Sequence, residues 1–234
     1  MHFDSLYINT HADWAVPLNN NQDCDMSAAD IPAPTGTADI VVFDFDGTIT
    51  TKDTFALFLR YYAGTAKWAL NILILLPIFV AYVLKIIDRN AVKAHVIRRF
   101  FKGRSVQELE AKAARFAAEV IPTLIRPAAQ AALSEKLKKG ESLYICSASI
   151  TPYLKAWASE NGIENVLATE LESNGTTFTG EIDGWNIWGE GKVRRILAEF
   201  APHSVNIIEA YGDSRGDREL LHAAQASYYK PFRL

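Results

Sequence analysis

The 234 residues are 49% apolar and 22% charged, which supports a substantial core and excludes a wholly disordered chain. The net charge of -3, with nothing that resembles a groove-reading motif, argues against a nucleic-acid binder. Two cysteines, Cys24 and Cys146, lie far apart in unlike contexts, which excludes a disulfide framework or thiolate metal site and suits a reducing, cytoplasmic setting.

Residues 1–37 hold polar, punctuated stretches such as Asn19-Asn20-Asn21-Gln22-Asp23 and Pro32-Ala33-Pro34 without periodicity, and are expected to form a disordered leader. No basic segment followed by an apolar core marks a secretory signal, and Met26 is a candidate start. The run Val41-Val42-Phe43 then ends abruptly in Asp44-Phe45-Asp46-Gly47-Thr48. A short β-branched and aromatic run bounded by a turn signal reads as a buried strand. Ligands of open α/β sheets bind just outside the carboxyl ends of such strands. Two acids placed there cost desolvation and mutual repulsion unless a cation or a reaction uses them.

From Asp53 to about Leu137 the pattern is helical, rich in Ala, Leu, Lys and Arg, with breaks at Gly64, Gly103 and the pair Pro122 and Pro127. A strand over 141–146 ends at Ser147-Ala148-Ser149, followed by a helix over 151–161, stopped at Gly162, and a short strand over 166–169. Asn174-Gly175 is a hairpin signal between β-prone runs in 171–185. A helix over 192–200, a strand over 205–211, the exit loop 212–217, a helix over 218–225 and a last strand over 227–230 complete the chain. Strands alternating with helices imply an α/β fold with a mostly parallel, Rossmann-like sheet and right-handed crossovers. The first crossover is far longer than needed, so the core (38–53 and 138–234) is expected to be interrupted by a helical cap at 54–137.

Four strand ends then converge on one sheet edge, supplying Asp44 and Asp46, Ser147, Lys192, and Asp213 with Asp217. With these motifs in this order the chain resembles the haloacid dehalogenase (HAD) superfamily over residues 40 to 231. Its helical insertion is similar to the C1-type cap of the phosphoserine-phosphatase-like subfamily IB. The resemblance implies a phosphomonoester phosphatase acting through an aspartyl-phosphate. Asp44 would be the nucleophile and Asp46 the proton shuttle, the latter worth typically ~10²–10⁴-fold. Ser147 and Lys192, together with Gly47, Thr48, Ala148 and Asp53, would contact the phosphate or the substrate. Mg²⁺ would be bound by Asp44, the backbone carbonyl of Asp46, and Asp213, with Asp217 in support. Dehalogenases and P-type ATPases lack an aspartate two residues after the nucleophile, so Asp46 points to phosphate-ester chemistry.

Asp53 stands where phosphoserine phosphatases carry a substrate-binding glutamate, although Thr54 also reads as a plain helix cap with Asp53 merely near it. The expected substrate is a small metabolite phosphate. Residues 68–84, however, are apolar except for Asn71 and Pro77, and Lys85, Arg89, Lys93, Arg98, Arg99, Lys102 and Arg104 follow with only Asp88 opposing. That arrangement resembles the phosphatidylglycerophosphatase C type and leaves open a lipid phosphate and peripheral contact with the inner membrane. The plainer alternative is a cap core beside a solvated basic face. A helical hairpin broken near Pro77 and dipping into one leaflet is a third expectation, and a non-catalytic binding module is the rival from another class. Residues 52–126 carry 13 Lys and Arg against 5 Asp and Glu, so cations gather in the expected cap.

Overall fold

Strand β1 (Thr37–Phe43) occupies the middle of a six-stranded sheet, and its last four residues are buried on both faces. This is the environment that a continuous apolar run requires in a parallel sheet. The structure is a computed structural model describing residues 37–233, so Met26, Cys24 and the expected leader lie outside the described residues, except Thr37, which opens β1. The other strands are β2 (Leu143–Ile150), β3 (Asn165–Ser173), β4 (Phe178–Asp183), β5 (Ser204–Gly212) and β6 (Ala226–Tyr229), in the order β4-β3-β2-β1-β5-β6. All neighbours are parallel except β3 and β4, which form an antiparallel hairpin. Its turn is tied by the Asn174 Oδ1, which accepts from the N–H groups of Thr176 and Thr177. The chain builds the sheet from β1 through β2 to β4, then returns to lay β5 on the opposite side of β1. The reversal puts a crevice at the carboxyl ends of β1 and β5.

Five helices join β1 to β2: α1 (Thr54–Ala63), α2 (Thr65–Val83), α3 (Arg89–Phe101), α4 (Val106–Glu119) and α5 (Pro127–Lys138). The remaining helices are α6 (Thr151–Glu160), α7 (Glu190–Phe200) and the short α8 (Arg218–Ala223). The insertion has an aromatic interior in which Phe58 meets Phe116 at 5.2 Å between ring centroids, and Tyr62 meets Phe101 at 5.4 Å. Tyr153 of α6 packs against Phe58 and Phe116, so this interior is continuous with the sheet-bound core.

Helix α2 departs from two expectations. It runs unbroken through Pro77, because that position is exposed and water can satisfy the carbonyl that the missing N–H leaves free. It also gives the core only one face: of its nineteen residues Leu75 alone is buried, with Trp68, Ile72, Ile78 and Phe79 half-buried against the same core. The chain instead breaks after Val83 in a Schellman turn. Ile86 N–H donates to Ala81 O and Lys85 N–H to Tyr82 O, both at 2.9 Å, with Lys85 in the left-handed region at φ 59°.

Candidate active site

The turn after β1 is built around Gly47. Its φ of 82° is open to glycine, and a Cβ there would stand 2.4 Å from Asp213 Oδ2. The absent side chain thus lets the β1 and β5 loops touch. Gly47→Ala is expected to cost about 1–2 kcal/mol from backbone strain alone. A thermal melt checks this, with a fall in Tm of roughly 2–8 °C for a protein of this size.

Asp44, Asp213 and Asp217 are all buried, and one oxygen from each lies within 4.8 Å of the others. Lys192, at the start of α7, is buried among them. Its ammonium donates to Asp44 Oδ1 and Asp217 Oδ1 at 2.6 Å each and to Cys146 O at 2.8 Å. Burial alone would lower the Lys192 pKa, but Asp44 and Asp217 outweigh it and keep the amine charged. Burial pushes the Asp44 carboxyl up, against the pull of Lys192. Asp217 ends below the ordinary range, because Lys192 and Ser214 overcome its burial. Its Oδ2 also accepts from the Asp213 and Ser214 N–H groups, which closes the loop after β5. Asp213 pairs with Arg233, and its carboxyl is raised chiefly by burial.

Asp46 sits in a different environment. Its Oδ1 accepts from the N–H and hydroxyl of Thr54, at 2.6 Å each, and its Oδ2 from the Ser149 hydroxyl. Burial, reinforced by nearby Asp53, lifts its pKa to about 6, while Ser149 and Thr54 hold it from rising further. Two carboxyls two residues apart therefore differ in their partners, one tied to an ammonium and the other to hydroxyls.

The other expected site residues divide. Thr48 donates to Asp44 Oδ2 at 2.9 Å, and so braces the carboxylate. Ser147 is buried near the carboxyl end of β2, where the pairing with β3 is interrupted and its hydroxyl accepts from Ser149 N–H at 3.0 Å. Ala148 presents its carbonyl to Thr169 and Lys93. Asp53 lines the cavity, but its carboxylate caps α1 by accepting from Ala56 N–H. The cap is therefore Asp53 and not Thr54, whose hydroxyl is taken by Asp46.

Sequence reasoning treated Lys93 as one of a basic cluster, but the structure buries it. From α3 it reaches the sheet, donating to Ala148 O, to Asn186 Oδ1 at 2.8 Å and to Thr169 Oγ1 at 3.0 Å. Asn90, one turn earlier, bonds Asn186 as well. A signal was present: Lys93, Val96, Ile97 and Phe100 share one helical face, and all are buried. Thr54, Ser149, Asn186 and Arg233 carried no comparable pattern.

Burial lowers the Lys93 pKa to about 7, although Asp46 and Asp53 pull it upward. Below that pH the amine is charged in both folded and unfolded chains. Between about 7 and the ordinary 10.5 the unfolded chain holds the extra proton, so stability rises with pH over that window. Lys93→Met is expected to remove this rise, read as Tm against pH for the two proteins; parallel curves would refute it.

A cavity of about 570 Å³ opens onto these groups, with Phe55, Phe79, Tyr82, Val92 and Val96 forming its apolar wall and Lys52 and Arg89 among its cations. Arg89 lies over the Trp188 ring, 5.3 Å from its centroid.

A family model described as haloacid dehalogenase-like hydrolase matches residues 41–222. Among curated proteins, "Protein CicA" of Caulobacter vibrioides is 38% identical over 197 residues, which cover 83% of this chain and 86% of that protein. A protein of unknown function from Bordetella pertussis Tohama I superposes with a TM-score of 0.70 at 21% identity, covering 82% of this chain and 89% of that one. A phosphoserine phosphohydrolase-like protein from Francisella tularensis gives 0.54 at 18%, covering 79% and 82%. A substrate-bound phosphoserine phosphatase gives 0.54 at 14%, covering 83% and 86%. At these identities the solved structures establish a shared fold.

Proposed function

The chain belongs to the haloacid dehalogenase-like hydrolases, with the fold of their phosphoserine phosphatases, and from that premise we propose that it hydrolyses phosphomonoesters through an aspartyl-phosphate on Asp44. The observation that carries the reading is the contrast between Asp44 and Asp46. One carboxylate is paired with the Lys192 ammonium and the other is held by the Thr54 and Ser149 hydroxyls, while burial lifts both, Asp44 to about 7 and Asp46 to about 6, near the working range of a proton shuttle.

An Asp44 oxygen attacks phosphorus as the bond to the ester oxygen breaks, and the Asp46 carboxyl gives that oxygen its proton. Asp46, now a carboxylate, takes a proton from water. The water oxygen attacks phosphorus, the bond to Asp44 breaks, and inorganic phosphate leaves. Lys192 balances charge, and Ser147 is placed to donate its hydroxyl to a phosphoryl oxygen. The oxygen-only donor set of Asp44, Asp213 and Asp217, buried and close together, fits Mg²⁺. Asp44, the Asp46 carbonyl and Asp213 would hold it, with Asp217 in support. When bound, the ion supplies positive charge that offsets the crowded carboxylates and phosphoryl oxygens. The helical insertion acts as a cap that covers the cavity and selects the leaving group.

The cavity wall suits a small phosphorylated metabolite with an apolar portion. A second reading, a lipid phosphate, is favoured by Phe79 and Tyr82, which line the cavity from α2. Release of phosphate from a generic aryl phosphate with Mg²⁺, lost on chelation and in Asp44→Asn, tests the reaction. If purified protein with Mg²⁺ releases none, a binding module takes its place.

A further inference from the structure

Helix α2 poses a solvation problem that the catalytic site does not solve. Leu70, Leu73, Leu76, Val80 and Val83 lie along one side of it, and Ile86 beyond the Schellman turn is exposed as well. Leu73 is 62% exposed, Val83 75% and Ile86 71%. Leu75, facing the opposite way, packs into the insertion's interior. Monomers rarely leave a continuous apolar face of this extent in water.

The helix is long and apolar enough to cross a bilayer. Its neighbours forbid crossing. Trp68 near its start packs against the buried core, and Phe79 and Tyr82 near its end line the cavity that holds Asp44, so both ends of α2 stay on one side. It can lie only along a surface.

Charge identifies that surface. Between Asp53 and Asp88 there is no acidic residue, and the charges present are Arg60, Lys67 and Lys85. Lys67 and Lys85 flank the apolar face, one near each end. A second copy of the chain would set these cations against themselves, whereas anionic headgroups complement them. Arg98, by contrast, is taken up by Glu181.

We propose that α2 is a membrane-docking helix that lies in the headgroup–acyl boundary of an anionic bilayer, with Lys67 and Lys85 on the headgroups. Phe79 and Tyr82 then set the cavity mouth beside the lipid. The docking stands on the helix alone, and only its consequence for substrate rests on the phosphatase reading.

Flotation of the purified full chain with vesicles tests it. The chain is expected to float with phosphatidylcholine–phosphatidylglycerol vesicles and much less with phosphatidylcholine alone. Lys67→Glu with Lys85→Glu is expected to weaken binding roughly 10-fold or more. Leu73→Glu with Val83→Glu is expected to abolish it. None of these four residues lines the cavity, so soluble aryl phosphate hydrolysis, measured without vesicles, should be unchanged and reports that the variants fold. No flotation of the parent, or flotation of both variants equal to the parent's, overturns the docking. So does a dimer in solution that Leu73→Glu with Val83→Glu converts to monomer while vesicles are ignored. Failure of the parent to hydrolyse the aryl phosphate strikes the phosphatase reading instead and leaves the flotation result to stand.

Discussion

Asp44→Asn is expected to remove phosphate release, with kcat falling by about 10⁴-fold or more, in a protein that melts close to the parent. Asparagine keeps the shape, its oxygen accepts from the Lys192 ammonium and its amide can donate to a turned Thr48 hydroxyl, so the turn after β1 retains its contacts. What it lacks is an oxygen able to form an acyl-phosphate. Because burial opposes ionisation of Asp44, a neutral amide there costs little in folding and offsets part of the lost pairing with Lys192. Asp46→Asn should lose less, about 10²–10⁴-fold, since it removes a proton donor and not the bond-forming atom. That loss should be larger on an alkyl phosphate than on a nitrophenyl phosphate, whose leaving group departs without a proton. Retained turnover in Asp44→Asn, or equal losses for Asp46→Asn on both esters, would remove the assigned roles.

The geometry of Asp44, Lys192, Asp213 and Asp217 was legible because each follows a strand or opens a helix whose pattern is strong. Strand periodicity located the turns, and the parallel order then brought those turns to one edge. The hairpin at Asn174 was legible for a similar reason, since its turn chemistry is local. Long-range contacts were harder to foresee. That Thr54 serves Asp46, and Asp53 the helix, depends on where α1 comes to rest against β1, which no local pattern encodes. The break after α2 was missed because its left-handed residue is Lys85, without the glycine that usually marks such a turn. The exposure of α2 was illegible for a deeper reason. A helix apolar all round has no polar side to say which face meets solvent, so composition cannot separate a buried helix from one that meets lipid. Lys93 could have been read from its apolar face-mates, yet neighbouring cations in sequence drew it into a surface cluster.

Lys192→Met is expected to damage both folding and chemistry. The methionine fills much of the same volume but leaves Asp44 Oδ1, Asp217 Oδ1 and the Cys146 carbonyl without their shared donor. Breaking a buried ion pair by removing one partner costs about 3–5 kcal/mol, because the remaining charge is stranded. For a chain of this length that corresponds to a fall in Tm of roughly 6–20 °C. Two carboxylates are stranded here, so the cost should sit at the upper end. The double variant Lys192→Met with Asp217→Asn should recover part of the loss, since it removes one of the two charges that repel across the gap. A thermodynamic cycle over the single and double variants measures that coupling. Phosphate release should fall by about 10²–10³-fold in whatever fraction remains folded, the scale for deleting one donor that stabilises developing negative charge. If Lys192→Met melts with the parent, the ammonium is not what holds the two aspartates together, and the charge balance proposed for the site fails with it.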